Sequence, residues 1–148
     1  MNILVIGGAG VTGTVIVRQL LARGCDVTIL HRGVHTPDLP DSVARIHADP
    51  YAKDGLTAAL EGKHFDAVIA TYGRLRHVAQ ALLGHTTRLI SIGGAAPVYK
   101  GWGEMMAPNP WETTQPTPLF LDEDHPLASE ETADPFSMAV RKTEMDIL

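Results

Sequence analysis

The residues with the clearest chemical meaning are four glycines near the start of the chain, in Ile6-Gly7-Gly8-Ala9-Gly10-Val11-Thr12-Gly13. They satisfy Gly-x-Gly-x-x-Gly from Gly8 and Gly-x-x-Gly-x-x-Gly from Gly7. A short apolar run, Ile3 to Ile6, leads into them, and an apolar-periodic segment from Val11 to Arg23 leads away. In a strand–turn–helix setting such glycines let the turn be tight, let a pyrophosphate approach the backbone and let the helix pack on the strand. The helix start adds free N–H groups and a partial positive charge for the phosphates. The pattern predicts binding of NAD or NADP at Gly7, Gly10, Val11, Thr12 and Gly13. A glycine turn that serves only helix–strand packing is the plainer alternative.

The end of the second strand selects the cofactor. An acid there would hold a ribose 2′-hydroxyl and favour NAD. The chain has Leu30-His31-Arg32-Gly33, with no acid. Arg32 offers a planar donor suited to a 2′-phosphate, so NADP is preferred over NAD; a solvated surface arginine is the alternative. Asp49, just after the third strand, could accept a hydrogen bond from the adenine amino group, or could simply shape the turn before Pro50. Thr71, directly after the fourth strand, and Ser91, in the fifth, complete the expected cofactor-binding set.

No other cluster declares a chemistry. The seven histidines show no metal-ligand spacing supported by a second ligand group, and His31 with His35 spans a strand end and a loop, so no metal site is expected. Tyr72, Tyr99 and Lys100 read as packing or surface residues before they read as catalysts. Asp122-Glu123-Asp124-His125-Pro126 reads as a solvated turn, and Trp102 and Trp111 either line a substrate pocket or pin a long loop. Cys25, the single cysteine, excludes an intramolecular disulfide and fits a reducing cytoplasm.

The elements that must position these residues alternate, which predicts an α/β fold with a parallel sheet covered on both faces. Strands are expected at Asn2–Ile6, Val27–His31, Ala44–His47, Asp66–Ala70 and Arg88–Ile92. The first, fourth and fifth read as continuous apolar runs buried on both faces. Helices are expected at Val11–Arg23, closed by Gly24; at Asp54–Glu61, with Asp54 as a cap; and at Leu75–Leu83, with Leu75, Val78, Ala79, Leu82 and Leu83 on the apolar face. Residues 1–92 form the core units. Residues 93–135 carry most of the prolines and both tryptophans and read as a long loop. A last helix at 136–148 has Phe136, Ala139, Val140 and Ile147 on one side. Nothing stops it before Leu148, which reads as truncation of a longer protein.

The chain of 148 residues is expected to form one domain. Its 45% hydrophobic and 20% charged residues are ordinary for a soluble globular protein. The net charge of −5 argues against affinity for nucleic acid or anionic membrane. No apolar run approaches the length of a membrane span. Met1 leads straight into the first strand, so no signal peptide is expected.

At these residues the chain resembles the atypical and extended short-chain dehydrogenases, the NAD-dependent epimerase/dehydratase family. The resemblance rests on the glycine turn, on Leu20-Leu21-Ala22-Arg23-Gly24, on Thr28-Ile29-Leu30-His31-Arg32-Gly33, on Ala48-Asp49 and on Phe65-Asp66-Ala67-Val68-Ile69-Ala70. It covers roughly the first two thirds of the chain. It implies a doubly wound Rossmann fold of strand order 3-2-1-4-5, NAD(P) across the C-terminal strand ends, and a longer chain whose smaller substrate domain is absent here.

The family also uses a Ser or Thr after the fifth strand and a Tyr-x-x-x-Lys pair on the next helix. The tyrosine transfers a proton, and the lysine lowers its pKa and holds the nicotinamide ribose. Here Gly94 or Ala95 stands at the serine position, with Ser91 slightly early. Aligned on Glu144, the pair becomes Phe136 and Val140; aligned on Lys142, the tyrosine position is Met138. Neither register gives Tyr-x-x-x-Lys, and the catalytic residues stay unassigned.

Three functions compete. One is an epimerase- or reductase-type enzyme acting on an unknown small molecule, present as its cofactor-binding half. Another is a catalytically silent NAD(P)-binding sensor or structural module. The third, RNA binding, is opposed by the acidic charge and the lack of a basic-aromatic patch. For these 148 residues binding without turnover is the expectation. A homodimer stays open.

Overall fold

The computed structural model describes residues 1–35, 37–71, 73–93, 99, 124–127 and 135–147, the side chains of Phe136 and Ser137 excepted. Tyr72, Gly94, Ala95, Lys100, Trp102, Trp111, Asp122, Glu123 and most of the 93–135 segment, singled out in the sequence, lie outside the described residues. Two compact units follow along the chain, Met1–Gly93 and Gly94–Leu148.

The first unit is a five-stranded parallel sheet. Its elements run β1 (Asn2–Ile6), α1 (Val11–Ala22), β2 (Asp26–His31), β3 (Ala44–His47), α2 (Lys53–Leu60), β4 (Ala67–Ala70), α3 (Leu75–Ala81) and β5 (Leu89–Ser91). The order across the sheet is β3-β2-β1-β4-β5, with every pairing parallel. β1 is therefore central, and its alternating side chains feed two separate cores. Leu4 and Ile6 join Leu30, Leu56, Leu60, Val68 and Val78 on the α2/α3 face. Ile3 and Val5 join Val17, Val27, Ile29, Leu39 and Val43 on the α1 face. A strand buried on both faces has no polar side to show, which is why β1 reads as an unbroken apolar run.

The helix ends follow local chemistry. α1 closes in a left-handed turn at Gly24 (φ +75°). There the Gly24 N–H donates to the Leu21 carbonyl at 2.9 Å and the Cys25 N–H to the Leu20 carbonyl at 3.1 Å. This paired closure satisfies carbonyls that the helix would otherwise leave open. α2 starts differently from the expectation. Its cap is Ala52, with no side-chain cap bond, and Asp54 sits inside the first turn. There its charge faces the positive helix end without capping it.

Two burial expectations are corrected. α3 ends at Ala81, so Leu83 falls in the following turn and is 78% exposed, while Ala81 takes a place in the core. β5 is short and occupies an edge of the sheet, with Ile90 and Ile92 about half exposed. Its apolar composition reflects one covered face, not two.

In the second unit, α4 (Pro135–Ile147) begins on a proline, which suits a first helical position. Ala139, expected on its apolar side, is exposed. Tyr99 and Leu127 form an antiparallel bridge, and the Tyr99 ring meets His125 edge-on at 5.7 Å between centroids. Among the described residues no helix is long and apolar enough to cross a membrane.

Candidate functional site

Parallel strands end on the same side, so the sheet order brings the C-terminal ends of β2, β1 and β4 next to one another. A cavity of about 430 Å3 opens there, within the first unit. Its floor is the turn after β1, with Gly7 and the run Ala9 to Gly13. One wall comes from the end of β2, with His31, Arg32, Val34 and His35. Pro50, Thr71 and Ile92 complete the lining.

The glycine turn is fixed by its own backbone. Gly7 has φ +88°, a conformation that side chains resist. Its N–H donates to the Leu30 carbonyl at 3.0 Å, which ties the turn to β2. The Gly10 N–H donates back to the Gly7 carbonyl at 3.0 Å. A Cβ on Gly13 would collide with the Gly7 carbonyl oxygen and lie 2.7 Å from Gly8 Cα. A Cβ on Gly8 would lie 2.5 Å from Ile29 Cγ2. The backbone conformation therefore accounts for Gly7, and packing within the protein accounts for Gly8 and Gly13.

Gly10 is different. Its φ of −80° and ψ of 173° suit any residue. Among the described residues an added Cβ would meet only the Gly7 carbonyl, at an ordinary 3.4 Å. The residue is exposed and lines the cavity. It is also the N-cap of α1 and brings no side-chain cap. The first-turn N–H groups, at Val11, Thr12 and Gly13, are left for solvent or an anionic ligand.

The β2 wall is built from side chains. His31 is only 9% exposed. Its Nδ1 accepts the Gly33 N–H at 3.2 Å, whereas Nε2 is buried and has no hydrogen-bond partner among the described residues. His31 lies in register with His47 of β3, and the two rings meet edge-on at 4.7 Å between centroids. Burial pushes the His31 pKa below its ordinary 6.5, and the neighbouring His47 and Arg45 push it in the same direction. Arg32 follows on the exposed side of the strand end and lines the cavity. On the far side, Thr71 directs both its N–H and its hydroxyl to the Ile6 carbonyl, at 3.0 and 3.2 Å, and so fastens the end of β4 to β1.

Of the residues singled out in the sequence, Gly7, Gly10, Val11, Thr12, Gly13, Arg32 and Thr71 come together around this cavity. Asp49 and Ser91 are not among its lining residues. Asp49 is exposed, and its Oδ1 accepts the Tyr51 N–H at 3.0 Å, which shapes the turn into α2. Ser91 is exposed on β5. Lys142 is exposed on α4, one helical turn from half-buried Met138. Among the described residues no group of three or more His, Cys, Asp or Glu could hold a metal ion.

Sequence reasoning missed His31, Val34, His35, Pro50 and Ile92 as lining residues. For His31 a signal existed, because it occupies the strand-end position where an acid was sought. Pro50 carried none. It reaches the cavity because Arg74 donates its N–H to the Pro50 carbonyl at 3.2 Å and Gly73 leaves the proline ring room.

The NAD dependent epimerase/dehydratase family matches residues 3–87 of the chain, more than half its length. Solved structures of similar fold include Thermus thermophilus UDP-glucose 4-epimerase in complex with NAD, at 20% identity and a TM-score of 0.64, covering 98% of this chain and 49% of that one. The Bordetella bronchiseptica enzyme WbmG in complex with NAD matches at 15% identity and a TM-score of 0.67, covering 99% and 49%. The enzyme WbmH of the same organism, in complex with NAD+, matches at 14% identity and a TM-score of 0.66, covering 99% and 51%. The chain thus spans about half the length of these structures, and at such identities the likeness is one of fold. No curated protein matches the chain. The match over residues 3–87, together with the glycine turn and the 3-2-1-4-5 sheet, places the chain in the NAD-dependent epimerase/dehydratase family.

Proposed function

We propose that the Met1–Gly93 unit binds NAD(P) in the cavity at the strand ends, with a preference for NADP. The observation that carries this reading is Gly10. Among the described residues, neither its backbone angles nor its protein neighbours call for glycine, yet it stands exposed in the cavity lining. A ligand that must touch the backbone supplies the missing reason. The residues present fit such a group. The α1 N-terminus and the turn from Gly7 to Gly13 would hold the pyrophosphate, and Arg32 would hold a 2′-phosphate. When bound, the nicotinamide supplies a hydride acceptor or donor. The similar solved structures are complexes with NAD, and the lack of an acid at His31-Arg32 favours NADP for this chain.

For catalysis we favour binding without turnover. The family pattern would place the proton-transferring tyrosine and its lysine one helical turn apart on α4. The two registers put Phe136 with Val140, or Met138 with Lys142, in those places. Phenylalanine and methionine cannot donate a proton, and valine cannot stabilise a tyrosinate. An epimerase- or reductase-type activity acting on a small molecule remains the alternative for a longer protein.

The test is a calorimetric titration with NADP+ and NAD+, run beside an absorbance assay at the reduced-nicotinamide band against sugar nucleotides and simple carbonyls. Saturable binding and no turnover are expected, since general acid–base help is worth about 10²–10⁴-fold in rate. The Phe136→Tyr/Val140→Lys double variant runs alongside. Robust turnover by the unaltered chain would overturn the silent reading and make Tyr99 the first residue to check.

A further inference from the structure

His31 presents an unusual combination. It is an ionisable ring, nine-tenths buried, on the wall of the cavity, with one nitrogen engaged and the other without a hydrogen-bond partner among the described residues. The engaged nitrogen settles the protonation chemistry. Nδ1 accepts the Gly33 N–H, so it carries no proton, and the proton of the neutral ring sits on Nε2. A side-chain acceptor that takes the N–H two residues ahead closes a turn just as an Asn or Asp side chain does. Asp49 does the same for Tyr51 at the end of the neighbouring β3. At Gly33 the turn has φ +78°, a conformation glycine adopts readily, and a Cβ there would sit 3.2 Å from His47 Nδ1.

Protonation removes this closure. In the imidazolium both nitrogens are donors. Nδ1–H would then face the Gly33 N–H, donor against donor, and the bond at 3.2 Å must open. The residues on either side of Gly33 that line the cavity are Arg32, Val34 and His35. The surroundings oppose the charged ring. From β3 come His47, edge-on to it, and Arg45; Arg32 follows on its own strand, His35 lies in the loop, and β1 brings apolar Ile6 to this end.

We propose that His31 is the positioning residue of this cavity wall: as a neutral ring it closes the turn at Gly33 and holds Arg32 to His35 at the cavity, and protonation opens the turn, so that dinucleotide affinity falls on acidification. The inference rests on the dinucleotide reading above, but its first link, from ring to turn, exists without any ligand. It assigns to His31 a role distinct from that of Arg32. Arg32 discriminates between cofactors, whereas His31 sets the pH range over which the wall that presents Arg32 is formed.

The experiment compares the wild type with His31→Asn and His31→Leu, each checked for folding by circular dichroism. Asn can still accept the Gly33 N–H but does not titrate, while Leu cannot accept it. Affinities for NAD+ and NADP+ are measured by calorimetry from pH 8 to pH 5. The Gly33 amide shift is followed by NMR over the same range without ligand. In the wild type the Gly33 amide is expected to titrate, and affinity for both dinucleotides to weaken about three- to tenfold, the range set by one neutral hydrogen bond. His31→Asn should bind more tightly than His31→Leu at pH 8 and lose the pH dependence. His31→Leu should be weakened at every pH. Using both dinucleotides separates the protein's titration from that of the 2′-phosphate. A Gly33 amide that does not titrate overturns the proposal, as does a His31→Asn profile that parallels the wild type. NADP+ binding that tightens on acidification through His31 also overturns it, since the charged ring would then be a direct phosphate contact. Absence of saturable binding by the wild type at any pH removes the dinucleotide reading and the affinity claim with it, and a titrating Gly33 amide then identifies the first as the failure.

Discussion

At the end of β1 the cavity wall is backbone. Its shape is set by Gly7, Gly8 and Gly13, which have no side chains to move, and it offers N–H groups at a helix start. At the end of β2 the wall is side chains. A buried histidine closes a turn, an arginine follows it, and a second histidine lies across the strand pair. The first wall carries no titratable group and should be indifferent to pH. The second can change charge. On the proposed reading, general affinity for a dinucleotide would rest on the β1 end, and discrimination between dinucleotides on the β2 end.

That division can be broken most forcefully at Gly13. A methyl group there meets backbone atoms of Gly7 and Gly8, which cannot yield as a flexible side chain would. Overpacking typically costs about 1–3 kcal/mol, and with backbone on both sides Gly13→Ala is expected at the upper end of that range or beyond. Thermal unfolding monitored by circular dichroism reads the loss. A variant as stable as the wild type would mean that the turn is softer than its geometry implies.

Arg32→Ala should have a smaller and more selective effect. The fold should be untouched, since the residue is exposed. NADPH should lose about 1.5–3 kcal/mol, the value of a hydrogen bond to a charged group, which is about one to two decades of affinity, while NADH should change little. A wild type that prefers NADH contradicts the assignment of Arg32.

The smallest effect concerns stability and pH. The His31 pKa is lower in the folded chain than its ordinary 6.5, so the unfolded chain binds the proton more readily. The stability tied to the neutral ring is present above 6.5 and is lost as pH falls through the folded value. The unfolding midpoint of the wild type should therefore rise between pH 5 and pH 7 by more than that of His31→Asn. Parallel profiles would show that burial of the ring carries no protonation cost.

Much of this site was legible in the sequence because its key parts are local. The glycine turn, the strand before it and the helix after it are consecutive residues, and backbone rules act over that range. β1 and β3 have the expected bounds for the same reason. What escaped depends on the register between strands. His31 faces His47 only because β2 and β3 pair in parallel with those two residues side by side. Pro50 reaches the cavity through a carbonyl that binds Arg74, twenty-four positions on. The half-exposure of Ile90 and Ile92 follows from the edge position of β5, which an apolar run cannot announce. Asp54 looked like a cap by type, but α2 begins one residue earlier than its charge suggested, at Lys53.

The central claim is that the chain leaves Gly10 bare for a ligand and not for itself. Gly10→Val tests it directly, because the backbone angles at Gly10 suit valine and the nearest protein atom lies at contact distance. Thermal unfolding should show only the loss of about 1 kcal/mol expected for an apolar N-cap, while calorimetric titration with NADP+ should show saturable binding by the wild type and none by the variant. A folded Gly10→Val chain that binds NADP+ with unchanged affinity would contradict the account.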